Sequence, residues 1–366
     1  MKDRPRVQDF DWILLAIVAA ISGLGVLEIY SSTHASAMVG MQWRQLLWIG
    51  LGVAGMLLIA LIDYHTLMDQ APALYLFGVG ILLVVLAIGH SRFGARRWVA
   101  LGGGVNLQVS ELMKLIIIIV LARYFSEVRT DRLAFVDLAK VAVLTGIPVG
   151  LILIQPDLGT AMVLVPVALV GAFLAGIDWK HWAAGLVLIG LLIPVGWHMR
   201  NHLKPYQQQR IATFLHPEEN PRGAGYQILQ SEIAVGSGGF WGKGFSKGSQ
   251  NQLGFVPVRY SDFILAALAE EQGFIGVCIV LLLYLGLILR LVDNAQKAKD
   301  RAGMYVVMGV TAILGFHVLV NASMVIGYMP VTGIPLPLMS YGGSSTAFVF
   351  LALGLVMNVR MRRFVN

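Results

Sequence analysis

The 366-residue sequence predicts an all-α fold: a polytopic integral membrane protein of about ten transmembrane helices with one long extracytoplasmic loop. Apolar residues make up 57% of the chain and charged residues only 13%. That is about half the charge of an ordinary soluble domain, and a water-soluble core of this size could not hide so much apolar surface. The apolar residues fall in continuous runs rich in Ala, Leu, Ile and Gly, without the ~10-residue alternation of a membrane barrel. Many Trp and Tyr stand near the ends of those runs, where amphipathic rings settle at the bilayer interface.

The runs are 11–30, 44–62, 71–90, 109–125, 139–154, 158–177, 182–199, 263–289, 303–327 and 338–359. Each approaches the roughly 20 residues that cross about 30 Å of hydrocarbon. The first is followed by the small-residue stretch HASA at 34–37, which raises a cleaved signal peptide. The run is longer than the 7–15 residues of a signal core, and many like it follow, so it reads as an uncleaved first span. The fifth and sixth runs are parted only by Gln155, Pro156 and Asp157. The single cysteine, Cys278, lies inside an apolar run; it excludes an internal disulfide and reads as a small buried hydrophobe.

Lys and Arg in short loops set the orientation. With the N-terminus in the cytoplasm, the inner segments carry fifteen of them and the short outer loops four, Arg44, Arg92, Arg96 and Arg97. An even number of spans returns the C-terminus to the cytoplasm. Residues 200–261 then form the outer loop of a single domain, 1–366. The net charge of +7 is dispersed between apolar runs, with no basic stripe or nucleic-acid motif, so membrane lipid rather than nucleic acid is the expected surroundings.

The outer loop holds nine glycines, six of them from Gly236 to Gly248 among Phe240, Trp241, Lys243 and Lys247. It lacks Walker spacing; a cradle of backbone N–H groups and lysines for a diphosphate is the functional reading. Two stretches near 206–215 and 226–235 read as amphipathic surface helices.

Ionisable groups inside spans cost about 2.5–3.5 kcal/mol each on insertion scales and need a reason. Glu111 and Lys114 share one helical face near the start of the fourth span, either as a self-neutralising pair or with Lys114 toward an anionic ligand. Asp157 stands where a helix N-cap would, and so does Asp262 at the start of the eighth span. Glu270 and Glu271 lie too far along that helix to form a close carboxylate pair with Asp262, which disfavours a retaining-glycosidase arrangement. His317 and Asn321, one turn apart, read as helix–helix hydrogen-bonding groups.

Residues 333–345, GIPLPLMSYGGSS, with Asn321 and Pro330 upstream, resemble the signature of the SEDS family (shape, elongation, division and sporulation). GARRW at 94–98, SELMK at 110–114, QPDLGT at 155–160, YQILQSEIAVGSGGFWGKG at 226–244 and SDFILAALAEEQG at 261–273 match in the same order. Short tails make the chain more similar to the elongation member than to the division member. The resemblance implies a peptidoglycan glycosyltransferase that polymerises lipid II, the undecaprenyl-pyrophosphoryl disaccharide pentapeptide, working with a class B penicillin-binding protein and the elongation machinery. It implies Asp262 as the catalytic carboxylate, and Glu111, Lys114, Arg97, Trp98, Asp157 and Arg210 beside the substrate. Lys243 of the glycine-rich loop and Ser340 of the SYGGSS segment join that expected binding set. The chain departs from the family's usual pattern at Val109, Asn106 and Val258. No cofactor is certain; a divalent cation, Mg²⁺ or Mn²⁺, at the diphosphate stays open, as do two other functions, a lipid II flippase and a non-catalytic scaffold for a penicillin-binding protein.

Overall fold

The computed structural model describes residues 10–34, 38–88, 90–92, 95–102, 105–128, 132–198, 205–217 and 223–363. A helix occupies each of the ten apolar segments: α1 (Trp12–Thr33), α2 (Met41–Leu61), α4 (Ala71–Ile88), α5 (Val109–Glu127), α6 (Phe135–Ile154), α7 (Leu158–Leu174), α8 (Trp179–His198), α12 (Ile264–Gln296), α13 (Arg301–Val325) and α14 (Gly343–Met361). Among the described residues six of these, α1, α2, α6, α12, α13 and α14, are by themselves long and apolar enough to cross a membrane. A short α3 (Tyr64–Asp69) joins α2 to α4. Helices also occupy the two stretches expected to be amphipathic, α9 (Pro205–Leu215) and α10 (Ala224–Gly238), the latter packed against α12, followed by a single turn, α11 (Ser249–Gln252).

One feature departs from the sequence reading. Strands β1 (His90–Arg92), β2 (Ala95–Gly102) and β3 (Val105–Gln108) form a small antiparallel sheet between α4 and α5. It is confined to a connection, so the all-α class stands for the apolar bundle.

Helix α5 is buried on nearly every side, and α13 and α14 bury most of their residues too. A helix apolar all round belongs in the middle of a bundle, and α5 packs there against α4, α7 and α13. The packing of α2 on α14 is set by small residues: a Cβ on Gly52 would meet the Phe350 ring at 2.7 Å, and one on Gly354 the Met56 carbonyl at 2.7 Å. Small residues let membrane helices approach where no hydrophobic effect draws them together. Opposite the loops, buried Asp11 caps α1 by accepting the Leu14 N–H at 3.1 Å. It also receives Arg290 at 2.9–3.1 Å and Asn294 at 2.8 Å, which ties α1 to α12.

Candidate active site

Asp262 lies two residues before α12 begins, partly exposed. The N-cap position of α12 is Phe263, one residue after Asp262. Its carboxylate has Ser261 Oγ at 3.0 Å. Its backbone is fixed from two sides. Asn321 of α13 donates to its carbonyl at 2.8 Å, and buried Ser340 donates to the carbonyl of Ser261 at 2.7 Å. The neighbouring Tyr260 carbonyl accepts the Tyr341 N–H at 2.9 Å.

These bonds belong to an extended strap, residues 330–340, between α13 and α14. Its prolines and lack of regular structure leave carbonyls that helices elsewhere would satisfy, and polar side chains of neighbouring helices take them up. His317 lies 3.1 Å from the Pro335 carbonyl, Asn321 donates to that of Ile334 at 2.9 Å, and Tyr284 of α12 to that of Pro337 at 2.5 Å. The helix–helix reading of His317 and Asn321 is thus refined: both meet strap carbonyls, and Asn321 also holds the carbonyl of Asp262. A Cβ on Gly333 would stand 3.6 Å from Asp262 Oδ2, so the strap is one wall of the carboxylate's surroundings. A Cβ on Gly159 in α7 would lie 2.7 Å from the Thr332 carbonyl, so the start of α7 backs the same strap. Two branched residues beside the site, Val258 (φ 51°) and Leu338 (φ 67°), hold left-handed backbone, a strain that persists only where surrounding contacts over-determine it.

The start of α5 supplies the charges. Lys114 Nζ is 2.7 Å from Glu111 Oε2, with both side chains buried. The ammonium also sits 4.1 Å from the centre of the Phe348 ring of α14, a cation–π contact. Gln108 and Ser110 reach across to Asp157 Oδ2 at 2.7 and 3.2 Å, while Asp157 Oδ1 accepts the Thr160 N–H at 3.3 Å. Asp157 is therefore the N-cap of α7 and a hub locking α5 to α7. Sequence reasoning missed Gln108 and Ser110 as its partners because only the fold sets them beside it.

The glycine-rich loop packs against α12. Helix α12 is broken at Gly273 (φ 65°, ψ −165°), and the loop fills the break with backbone bonds. Lys243 and Gly244 N–H donate to the carbonyls of Glu270 and Glu271 at 3.0 and 2.9 Å, and Phe274 N–H donates to Gly239 at 2.9 Å. A Cβ on Gly238, Gly242 or Gly273 would fall within 2.0–2.3 Å of backbone atoms across this contact. The Lys243 ammonium, expected at the substrate, pairs with Glu270 at 2.6 Å. Glu270 also accepts the Gln250 and Asn251 N–H groups at 2.8 and 2.9 Å. Glu271 takes Ser31, the Ser246 N–H and Asn251 at 2.5–2.9 Å. Both carboxylates thus fasten the loop rather than join Asp262. A buried acidic pair in an apolar helix was the signal available in the sequence.

The structure brings Asp262, Ser340 and Asn321 together directly. It ties Asp157 to the strap through α7, and Lys114 to α14 through Phe348. The backbone of Arg97 and Trp98 lies in β2, with Trp98 opposite both His90 and Gln108 and Arg97 at the irregular step. Arg210 lies in α9. The side chains of these three lie outside the described residues.

A family model described as a cell cycle protein, covering FtsW, RodA and SpoVE, matches residues 11–364. The chain belongs to the SEDS family. Among SEDS relatives, the peptidoglycan glycosyltransferase MrdB of Escherichia coli (strain K12) is 38% identical over 370 residues, covering 99% of this chain and 98% of the relative. The peptidoglycan glycosyltransferase RodA of Treponema pallidum (strain Nichols) is 32% identical over 98% of this chain and 99% of its own. A chain of a solved peptidoglycan synthase complex that coordinates polymerization and crosslinking superposes with a TM-score of 0.83 at 36% identity, over 98% of this chain and 99% of that one. The rod shape determining protein RodA of Thermus thermophilus superposes at 0.73, with 31% identity over 98% of both chains. The SEDS fold thus accounts for the whole apolar bundle.

Proposed function

We propose that this SEDS chain, a peptidoglycan glycosyltransferase, polymerises lipid II into glycan strands with Asp262 as general base, as part of cell elongation. The observation that carries this reading is the setting of Asp262: a partly exposed carboxylate at the loop end of the bundle, with its backbone clamped by Asn321 and Ser340. The acceptor's sugar hydroxyl is a poor nucleophile at neutral pH, and its proton must leave as it attacks the donor's anomeric carbon. A fixed carboxylate takes that proton, a contribution of about 10²–10⁴-fold. A single displacement on an α-linked donor inverts to a β-link and needs one carboxylate, which fits the separate engagement of Glu270 and Glu271.

The departing diphosphate needs positive charge in a site of low dielectric. Lys114 can supply it, since the ammonium is buried and its only anionic partner among the described residues is Glu111. The described residues hold no cluster of three or more His, Cys, Asp or Glu side chains suited to a metal ion. A Mg²⁺ or Mn²⁺ ion at the diphosphate would therefore draw most of its oxygens from phosphate and water, and no step here runs through one.

The same reading sets the protein in the bacterial inner membrane with both termini cytoplasmic and residues 200–261 outside. Reporter fusions at the C-terminus and near residue 245 test this; the same side for both would overturn it. The similarity to a chain of a peptidoglycan synthase complex supports a class B penicillin-binding protein as partner, expected to co-purify and to stimulate polymerisation.

The deciding experiment gives purified protein lipid II, with and without the partner, and compares wild type with Asp262→Asn. Wild type should make glycan, and the variant should fold normally and make about 10²-fold less or lower. Glycan within about threefold of wild type, far above the loss expected for a missing base, would remove Asp262 from the chemistry. A wild type that moves lipid II across vesicles without polymerising it would favour a flippase; one that does neither would favour a scaffold.

A further inference from the structure

Arg259 lies three residues before Asp262 and is partly buried. Its Nε donates to the carbonyl of Ser32 at the end of α1, at 2.9 Å. Its two terminal nitrogens flank Gly254: a Cβ there would be 3.4 Å from Nη1 and 4.0 Å from Nη2. No carboxylate among the described residues pairs with this guanidinium. Burial depresses its pKa below the ordinary arginine value, and only the neighbouring Tyr260 acts the other way.

The other partly or fully buried cations described at this end of the bundle are neutralised. Lys114 has Glu111, and Lys243 has Glu270. Taking a cation out of water without a counter-charge is costly, and an arginine's fork is built for two parallel bonds to a phosphate or carboxylate. Here one edge of the fork is held by a backbone carbonyl, which fixes its direction, and the terminal nitrogens are left to a ligand. The segment carrying it is held in an unusual shape: Val258, immediately before, has a φ of 51° and a carbonyl that accepts the Ser261 N–H at 3.0 Å. The tight turn thus mounts a cation and the Asp262 carboxylate on one rigid segment.

We infer that Arg259 is a diphosphate-binding residue, its terminal nitrogens holding a phosphate group of the lipid-linked donor while its Nε anchors it to α1. The inference rests on the glycosyltransferase reading for the identity of the donor. The shared chemistry is a lipid-borne phosphate, and the source is either the isoprenoid diphosphate or the headgroup of an anionic phospholipid. The competing structural role is a cap on the last turn of α1, where a cation also favours the helix dipole.

The test is direct binding of undecaprenyl diphosphate to the purified full chain in nanodiscs of zwitterionic lipid, measured for wild type, Arg259→Gln and Arg259→Lys. Each variant is checked by thermal unfolding. Parallel titrations use phosphatidylglycerol in place of the diphosphate, and KM and kcat for lipid II are measured on the same preparations. The inference predicts that Arg259→Gln binds the diphosphate about tenfold more weakly or worse, with a matching rise in KM and little change in phosphatidylglycerol binding. Lysine can satisfy the Ser32 carbonyl or the phosphate but not both through a fork, so Arg259→Lys should fold as wild type and still bind weakly. Unchanged diphosphate affinity in a folded Arg259→Lys protein, or a loss confined to phosphatidylglycerol, would overturn it. A wild type that binds the diphosphate in an Arg259-dependent way yet makes no glycan would leave this inference standing and remove the glycosyltransferase reading.

Discussion

Asn321 reaches Asp262 from the neighbouring helix: its Nδ2 stands 2.8 Å from the Asp262 carbonyl and 2.9 Å from the carbonyl of Ile334. One amide therefore fixes both the segment that carries Asp262 and the strap beside it. Asn321→Leu keeps the branched shape and leaves two carbonyls without this donor, the buried one of Ile334 at a cost of about 1–3 kcal/mol and the part-buried one of Asp262 at less. Thermal unfolding should register that loss. Glycan synthesis should fall through kcat more than through KM, because the base is misplaced while the donor's binding groups remain. A variant with a lowered melting temperature and unchanged kcat would make Asn321 a purely structural residue.

The Glu111–Lys114 pair separates stability from chemistry. Lys114→Met alone leaves Glu111 buried without its partner, a change worth about 3–5 kcal/mol in comparable sites. The double variant Glu111→Gln with Lys114→Met should recover most of that stability, since a buried pair is often replaceable by neutral groups. Polymerisation should stay abolished in both. A stable and active double variant would show that Lys114 only neutralises Glu111.

The break in α12 makes Gly273 a remote control on the site. Alanine there meets a backbone that only glycine adopts readily (φ 65°, ψ −165°), with its Cβ 2.3 Å from the Gly242 nitrogen. The backbone strain alone is about 1–3 kcal/mol, and the clash adds to it. Gly273→Ala should lower the melting temperature and glycan yield without touching Asp262. Gly236→Ala, where nothing lies within 4 Å of the added Cβ, is the control. It should be neutral or slightly stabilising, by up to about 1 kcal/mol.

Asp300, in the connection between α12 and α13, predicts an acid limb in the stability profile. It caps α13 by accepting the Gly303 N–H at 2.7 Å, and takes the Tyr64 hydroxyl at 2.9 Å with His65 Nε2 at 2.8 Å. Burial raises its pKa, but those three bonds and the His65 charge together outweigh burial and hold the carboxyl below its usual range. A depressed folded-state pKa means the contribution is fully present above the unfolded value of about 3.9 and is lost as pH falls through the folded one. The melting temperature should therefore hold steady near neutrality and drop below about pH 4. Asp300→Asn, which still caps α13, should start lower and lose part of that acid slope. Superimposable profiles for the two proteins would exclude Asp300 as its source.

The candidate site was legible only in part. Asp262, Glu111 and Lys114 stood out because an ionisable group beside or within an apolar run is costly in lipid and needs a reason. Asp157 carried two readings until the Thr160 N–H was found on its Oδ1. The partner of Lys243 was not legible, because nothing local to a lysine among glycines announces a carboxylate 27 positions away in sequence. Arg259 was overlooked because an arginine in a long loop looks solvated until its surroundings are known.

The sequence by itself determined the bundle. Lipid offers no hydrogen bonds, so without the alternation of a closed barrel each crossing is a helix written as a predominantly apolar run, and every such run contains one. Tertiary structure decided what the polar residues do. Whether a buried carboxylate faces substrate, caps a helix or fastens a loop depends on which donors lie within about 3 Å. For Glu270, Glu271 and Asp157 those donors come from segments far off in sequence. The break at Gly273 is of the same kind: its freed backbone groups are tolerated only because the glycine loop arrives to bond them, and that meeting is a property of the fold, not of either segment alone.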